Sequence, residues 1–529
     1  MGVAAPRPVS KWTVTVSIAF GAIMATIDSS IVNVAVPVIR GEMSATLQEI
    51  TWISTAYMVA MVLVMPLTGF LGAFFGQKRV YLASLALFVA ASALCGTAGS
   101  LEALLVYRIL QGLGGGALQP TQQAILRQTF PPEEQGMAMA IFSMVIMVGP
   151  AIGPVLGGWI IDNHSWRWIF YINLPVGLLG IFMTWRNVVE PEDVRIANRG
   201  RAEVMRKNLD WAGIILMVIG VAALQLFLEE GPQEDWFASP YIVFAAFVAA
   251  IAIAAFVIRE LTATAPVVNL RLFADPTFAS GTAVATVMFG VLMGSMFLLP
   301  VFMQELLQFP ATQSGLVLMP RTLAMMVAAP IVGRLYNRVP PAATVAFGVF
   351  LYLIGSFQLS HITLDTSSTD LIVPLAITGV AFACLFVPLT TAALSSMPRH
   401  QLAEAAGLNS FLRQIGGSVG LTISTTVFTR YASEASSALA AQVSVLRPEV
   451  AERLAATKAG LMAHGFDAVQ AGAIAIRSVQ GKVAVQGLVI GFEKAFLVQG
   501  IAFLFVLPLL LFLKVQRTAA PAHIETSLE

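Results

Sequence analysis

Long apolar runs recur along the whole chain, separated by short polar stretches. A membrane-crossing helix needs roughly 20 mostly apolar residues to traverse about 30 Å of hydrocarbon. About 14 runs meet that requirement. The first six lie near 12–39, 50–72, 79–98, 103–126, 136–161 and 166–187, and two more near 211–229 and 239–259. The last six lie near 277–306, 314–336, 342–360, 371–394, 403–430 and 488–514. The runs are long and do not alternate apolar with polar residues, so they predict helices rather than strands. The first is too long for the apolar core of a signal peptide and no cleavage site follows it, so an uncleaved first span is expected. The expected fold class is an all-α polytopic membrane protein.

Basic loop residues orient these spans. Threaded from the N-terminus, one side collects Lys78, Arg79, Arg127, Arg195, Arg199, Arg201, Arg206, Lys207, Arg259, Arg271, Arg334, Arg338 and Arg399. The other side holds little beyond Arg40 and Arg167, and its loop around Glu229, Glu230, Glu234 and Asp235 has no basic residue. The positive-inside rule then makes the N-terminus cytoplasmic, and an even number of spans returns Lys514 and Arg517 to the same side. The expected organisation is a cytoplasmic N-terminus at 1–11, a six-helix half at 12–187 and a basic linker with two extra helices at 188–270. A second six-helix half follows at 271–514, then a cytoplasmic tail at 515–529. Pro66-Leu-Thr-Gly69-Phe-Leu71 closes the second span and Pro330-Ile-Val-Gly333-Arg-Leu335 closes the tenth. This echo predicts parallel halves related by an axis along the membrane normal, an architecture of transporters. Residues 431–487 differ, being rich in Ala and Gln and carrying Arg447, Glu449, Glu452, Arg453, Lys458 and Asp467. Val445, Val450 and Leu454 fit short amphipathic helices on the outer side, which either dock a partner or form a solvated loop.

Composition narrows the function. Of 529 residues, 57% are hydrophobic and 11% charged, against about a quarter charged in a soluble domain. A net charge of +1 excludes a nucleic-acid binder, which needs a basic face. Cys95 and Cys384 lie in apolar runs and the five histidines show no ligand spacing, so no disulfide framework or metal site is expected. There is no G-x-x-x-x-G-K-[ST] loop for an ATP-driven pump, and no HExxH, GxSxG or paired-carboxylate arrangement for a membrane enzyme. No cofactor is expected.

Ionisable groups within spans are costly and therefore functional candidates. Asp28 falls a little outward of the middle of the first span, between Lys11 and Arg40. Desolvation and a nearby cation pull a carboxyl in opposite directions, the balance that proton coupling needs. Arg108, in the outer half of the fourth span, is the expected counter-charge, with Gln111 three residues on and on the same face. The alternative for Asp28 is a structural acid paired to Arg or capping a broken helix. Arg321 and Arg413 are candidate polar groups of a cavity in the second half, the alternative being snorkelling or a structural hydrogen bond. Gln304 and Glu305 are further cavity candidates, with Glu305 and Lys494 near outer ends.

The fifth span reads Gly149-Pro150-Ala-Ile-Gly153-Pro154-Val-Leu-Gly157-Gly158. Glycines every four residues make a flat strip for close helix packing, and each proline removes a backbone donor. This combination suits a packed joint between two rocking halves. Gly112 with Gly116, and Gly416 with Gly420, form shorter strips in the fourth and thirteenth spans.

These segments resemble the major facilitator superfamily, and within it the 14-span drug:proton antiporter branch of the EmrB/QacA type, over about residues 12–514. Asp28-Ser-Ser30-Ile-Val-Asn33-Val-Ala-Val-Pro37 looks like that branch's first-span motif, and Arg108, Gln111 and Gly112 match its fourth-span motif. Gly149 through Gly158 match the antiporter motif, and Trp166-Arg-Trp-Ile-Phe170-Tyr-Ile-Asn173-Leu-Pro175 the start of span six. Gly69, Leu71, Gly76, Lys78 and Arg79 fit the loop between the second and third spans, but Ala73 stands where the pattern usually has Asp. The resemblance implies a two-half major facilitator fold with two extra central helices. It also implies proton-coupled export of amphipathic small molecules from a bacterial inner membrane. The implied partners are the lipid bilayer, a periplasmic adapter of the membrane-fusion type and an outer-membrane channel. A nutrient symporter or a non-transporting sensor on the same fold is the alternative.

Overall fold

A computed structural model describes residues 10–512 apart from 208, 233 and 444–446; the side chains at 47–48, 148, 150–151, 201, 204–207 and 311–312 lie outside the description. Val445, Lys514, Arg517 and the tail at 515–529 fall outside the described residues, as does the side chain of Pro150. All regular elements among the described residues are helical. They are α1 (Lys11–Glu42), α2 (Leu47–Val64), α3 (Thr68–Phe75), α4 (Gln77–Thr97), α5 (Leu101–Gly116), α6 (Leu118–Thr129) and α7 (Gln135–Asn163). There follow α8 (Trp168–Tyr171), α9 (Asn173–Asn187), α10 (Glu192–Lys207), α11 (Trp211–Glu230), α12 (Pro240–Thr262) and α13 (Pro276–Val301). The last are α14 (Ala311–Leu335), α15 (Pro341–Leu359), α16 (Ile372–Ala393), α17 (Leu402–Gln442), α18 (Pro448–Ala463) and α19 (Ala468–Leu504).

Local chemistry fixes the helix ends. Thr46 accepts from the Glu49 amide at 3.2 Å while its own amide donates to the Glu49 carboxylate at 2.8 Å, a reciprocal cap for α2. Asp210, Asp275 and Asp467 cap α11, α13 and α19. Gly76 turns α3 into α4 at φ +88°, where a side chain would be strained.

Among the described residues, eleven helices are long and apolar enough to cross a membrane, and α2 with α3, bent by 56°, makes a twelfth. The two remaining expected runs are also helical, as α5–α6 and α17, but are too polar for that measure. The physical reason is burial: Arg108, Gln111, Gln122, Gln123, Arg127, Asn409 and Arg413 all face protein, so these helices need not be apolar throughout. The echo between Pro66 and Pro330 is incomplete. The chain breaks at 65–67, whereas α14 runs unbroken through Pro320 and Pro330. The segment at 431–487 is also more continuous than expected. Rather than a loop of short helices alone, α17 extends to Gln442 and α19 starts at Ala468, with α18 between them.

In the first set of helices α1 packs on α7 and α9, α2 on α5, and α4 on α5 and α9. In the second, α13 packs on α17, α14 on α16, and α15 on α16 and α19. Helices α11 and α12 pack on each other, and α11 touches α2 and α17. The sets meet firmly at the end carrying Lys78, Arg127, Arg334 and Arg399, here called the basic end. There Gly136 and Gly333 abut, so that a Cβ on either would lie 2.6–2.8 Å from the other's carbonyl oxygen. Gln128 and Arg399 exchange bonds at 3.1 Å, Nε2 to O and Nη2 to O. Asn337 Nδ2 donates to the Glu133 carbonyl at 2.5 Å, and Gly407 sits on the backbone of Met65. The basic end is therefore sealed.

The glycine strip of α7 does not form the joint between the sets. Gly149, Gly153 and Gly157 face Thr26, Ser30 and Ile31 of α1, in the same set, and Ser30 Oγ donates to the Gly149 carbonyl at 3.0 Å. The joint lies elsewhere on α7, where Gly136 and Val155 meet Gly333 and Gly315 of α14. Gly416 and Gly420 pack on Thr286 and Gly290 of α13, and Gly112 and Gly116 on the α2 backbone. Gly158 has no neighbour within 4 Å of an added Cβ. Gly420→Ala should therefore destabilise by about 1–3 kcal/mol through overpacking against the Gly290 backbone. Gly158→Ala should be neutral or stabilising by up to about 1 kcal/mol through helix propensity. Thermal melts of the two purified variants in detergent check the contrast.

Candidate functional site: a buried ion pair

Asp28 lies past the middle of α1 and is 0% exposed; Arg108 on α5 is 1% exposed. Arg108 Nη1 donates to Asp28 Oδ2 at 2.7 Å. One turn along α5, Gln111 Nε2 donates to Asp28 Oδ1 at 2.8 Å, and its Oε1 accepts from Arg108 Nη1 at 2.7 Å. Asn173, at the start of α9, donates to Asp28 Oδ1 at 2.9 Å and to Ser92 Oγ of α4 at 3.0 Å. Ser92 Oγ donates to the Phe170 carbonyl at 2.9 Å. Arg108 is held further by Nε donating to the Ile53 carbonyl at 3.2 Å and by the Tyr57 ring, 4.0 Å from the guanidinium carbon. Helices α1, α2, α4, α5 and α9 thus each supply a group.

Three donors converge on one carboxylate, which is the hydrogen-bonding pattern of its ionised form. Removing either charge would leave the other in a low-dielectric interior, which costs far more than losing an exposed pair. A proton added to Asp28 would cancel the charge that Arg108 faces and give the carboxyl a donor where donors already point.

The remaining candidate residues scatter. Asn33 is exposed and accepts from Ser54 Oγ at 3.3 Å, and Pro37 is exposed. Gly69 lies under Glu404 in the first turn of α17, whose carboxylate also takes Asn269 Nδ2 at 3.4 Å. With Ala at 73, Glu404 is the carboxylate that marks this junction. Lys78 Nζ donates to the Trp185 carbonyl at 2.8 Å, and Arg79 lines a 370 Å³ cleft with Glu190 and Arg199. Gln304 and Glu305 are exposed on a π-helical turn past α13, and Lys494 is exposed on α19. Arg321 and Arg413 are buried inside the second set and do not reach its surface. None of these joins the Asp28 cluster.

Several functional-grade residues escape a sequence reading. Ser92 looks like an ordinary polar residue of a membrane helix, and Asn173, though part of the span-six motif, shows no link to Asp28 until the fold brings them together. Arg127, expected in a basic loop, is buried in α6, where Nε and Nη1 lack partners among the described residues. Glu229 and Glu230, expected in an outer loop, belong to the last turn of α11, and Glu229 hydrogen-bonds Thr55 of α2.

A family model for the major facilitator superfamily matches residues 18–421. The chain belongs to the major facilitator superfamily and is a multi-pass membrane protein. It is 38% identical to the multidrug export protein EmrB of Haemophilus influenzae, over 80% of this chain and 81% of that protein. It is 33% identical to the fatty acid resistance protein FarB of Neisseria gonorrhoeae and to EmrB of Escherichia coli, over 94% of every chain. The fold matches the human organic anion transporter MFSD10 at TM-score 0.62, with 14% identity and coverage of 96% and 100%. It matches the proton:xylose symporter XylE at TM-score 0.57, with 13% identity and coverage of 92% and 98%.

Asp28→Ala, which strands the Arg108 charge, should destabilise by about 3–5 kcal/mol. Asp28→Asn strands the same charge and turns an amide donor toward donors, so it should destabilise to a comparable degree. Denaturation midpoints of the two variants and the wild type, measured side by side, check this.

Proposed function

We propose that this protein exports amphipathic drugs or toxic compounds across a bacterial inner membrane in exchange for protons, by alternating access. The single observation that carries the reading is the enclosed Asp28–Arg108 pair at 2.7 Å, with every other Asp28 contact a donor. The named activities of relatives, multidrug export and fatty acid resistance, support the same substrate range. The positive-inside bias supports placing the basic end and both termini in the cytoplasm. The described form is then closed to the cytoplasm.

In the proposed cycle a proton from the outer side neutralises Asp28 and loosens Arg108, Gln111 and Asn173. The helices that these residues tie together are freed, and the basic end opens. The proton leaves to the cytoplasm and a substrate enters. Ionised Asp28 then re-forms the pair and favours closure at the basic end, which carries the substrate outward. Proton and substrate need only favour opposite forms of one equilibrium. The energy source is the proton gradient, with no bound cofactor. The α17–α18–α19 extension would stand in the periplasm, where an adapter of the membrane-fusion type leading to an outer-membrane channel would dock.

Everted vesicles test this. Wild-type vesicles with an acid lumen should accumulate ethidium or laurate and lose that accumulation when the pH difference is collapsed. Asp28→Asn, produced at equal level and with an unchanged chromatographic profile, should accumulate no more than vesicles lacking the protein. Full gradient-driven accumulation by that variant would overturn the coupling role of Asp28.

A further inference from the structure

The segment that joins α9 to α11 lies at the basic end, where two apolar helices finish and start. Trp185 in the last turn of α9 and Trp211 in the first turn of α11 are both exposed. Tryptophan so placed marks the level of the membrane–water boundary. Helix α10 connects these two ends at that level. Its Val194 and Asn198, one turn apart, are buried against protein. Ile196 and the preceding Val189 are exposed, as are Arg195 and Arg199. Exposed apolar side chains beside arginines are the pattern of a helix that lies in the interface rather than in water.

Glu190 seats this segment on the turn between α3 and α4. Its Oε1 accepts from the Gln77 amide at 3.2 Å and from Asn198 Nδ2 at 3.4 Å. A Cβ on Gly76 would lie 2.8 Å from its Oε2. Beside this contact opens the 370 Å³ cleft. Arg79, in the first turn of α4, lines it from one side, and Arg195 and Arg199, one turn apart on α10, line it from the other. Two carboxylates line it as well: Glu190, engaged as above, and the exposed Glu203. Arg195 is paired with Glu192 at 2.8 Å, but among the described residues no ion pair includes Arg79 or Arg199. Two guanidinium groups from different helices thus share one open space, and their fork suits a phosphate. Phe74 and the exposed Phe75 also line it. An anion that belongs here carries an apolar body and comes from the membrane boundary, which describes a lipid and not a free ion. Basic clefts on the cytoplasmic side of membrane helices suit anionic head groups.

We propose that this cleft holds the phosphate of an anionic glycerophospholipid from the leaflet at the basic end. Arg79 and Arg199 are its charged partners, and Phe74 and Phe75 meet the glycerol and the upper acyl chains. A zwitterionic lipid fits less well, because its ammonium group cancels the phosphate charge and brings a cation toward the arginines. The inference stands apart from the transport reading and does not depend on what the protein carries.

Native mass spectrometry of the purified full-length protein tests this, with phosphatidylglycerol, phosphatidylethanolamine and inorganic phosphate as probes. The wild type should retain phosphatidylglycerol in preference to phosphatidylethanolamine. Arg79→Gln combined with Arg199→Gln, checked for an unaltered melt, should weaken phosphatidylglycerol binding about tenfold or more, the usual scale for lost charged hydrogen bonds. Arg79→Lys combined with Arg199→Lys should keep part of the affinity by keeping the charge. Arg338 is exposed at the same end but does not line the cleft. Arg338→Gln should therefore leave binding within about twofold, below any such loss. Equal retention of the two lipids, normal binding by the paired Gln variant, or an equal loss in Arg338→Gln would overturn the proposal. So would displacement of the lipid by inorganic phosphate at equal concentration, which would mark a free-anion site. A second reading needs no variant. Phosphatidylglycerol with a photoactivatable group near its glycerol, in nanodiscs of wild-type protein, should label residues within 74–79 or 190–203, and labelling confined to other segments would contradict the assignment.

Discussion

A charged carboxylate and a charged guanidinium enclosed in one helix bundle set the terms for the rest of this molecule. Moving an ion of that size from water to a medium of low dielectric costs on the order of 20 kcal/mol in the idealised limit, and several kcal/mol after relaxation. The Asp28–Arg108 contact at 2.7 Å recovers part of that cost, and Gln111, Asn173 and Ile53 add further hydrogen bonds to the pair. The bundle must then be built so that five helices arrive at one point. Glycines on α5 and α7 let α2 and α1 come close enough to do so. In the proposed cycle such a pair is the sensitive element, because one proton would remove the charge that holds it together.

The seal at the basic end is made of a different kind of contact. Gly136 on Gly333, Glu404 over Gly69, and the Gln128–Arg399 exchange involve backbone, short side chains and single hydrogen bonds. The contacts between the sets are thus of the same close backbone kind as the glycine-packed helix pairs within each set, and the proposed rocking would have to part them. The substitution of Ala73 for the family's usual Asp fits this view, since Glu404 brings a carboxylate to the same junction from the other set.

Much of this was legible in the sequence, and the failures have physical causes. Asp28 and Arg108 stand out because charges in hydrocarbon are rare, and their two helices present them at similar depth. The link of Asn173 and Ser92 to Asp28 does not stand out, since Asn and Ser are unremarkable in membrane helices until their partners are known. The strip at 149, 153 and 157 was readable as a flat face, but spacing does not say which neighbour uses it, and α1 rather than the opposite set does. The apolar runs located every expected helix, α5–α6 and α17 included, although several polar residues of these helices face protein instead of lipid. They do not show that α17 and α19 run on into 431–487, because Ala- and Gln-rich sequence favours helix without being strongly apolar. Arg127 and Glu229 were assigned to loops because a shift of a few residues at a helix end decides between solvent and burial.

The proposed coupling between one proton and the basic end can be tested as a distance. Spin labels at the basic ends of α7 and α14, read by pulsed dipolar spectroscopy in nanodiscs, report whether that end is closed. In the wild type, acidification should move the population from the short distance toward a long one, because protonated Asp28 no longer holds Arg108. With Asn at position 28 the long distance should dominate at every pH. A variant whose distances followed pH as the wild type's do would show that another group senses the proton.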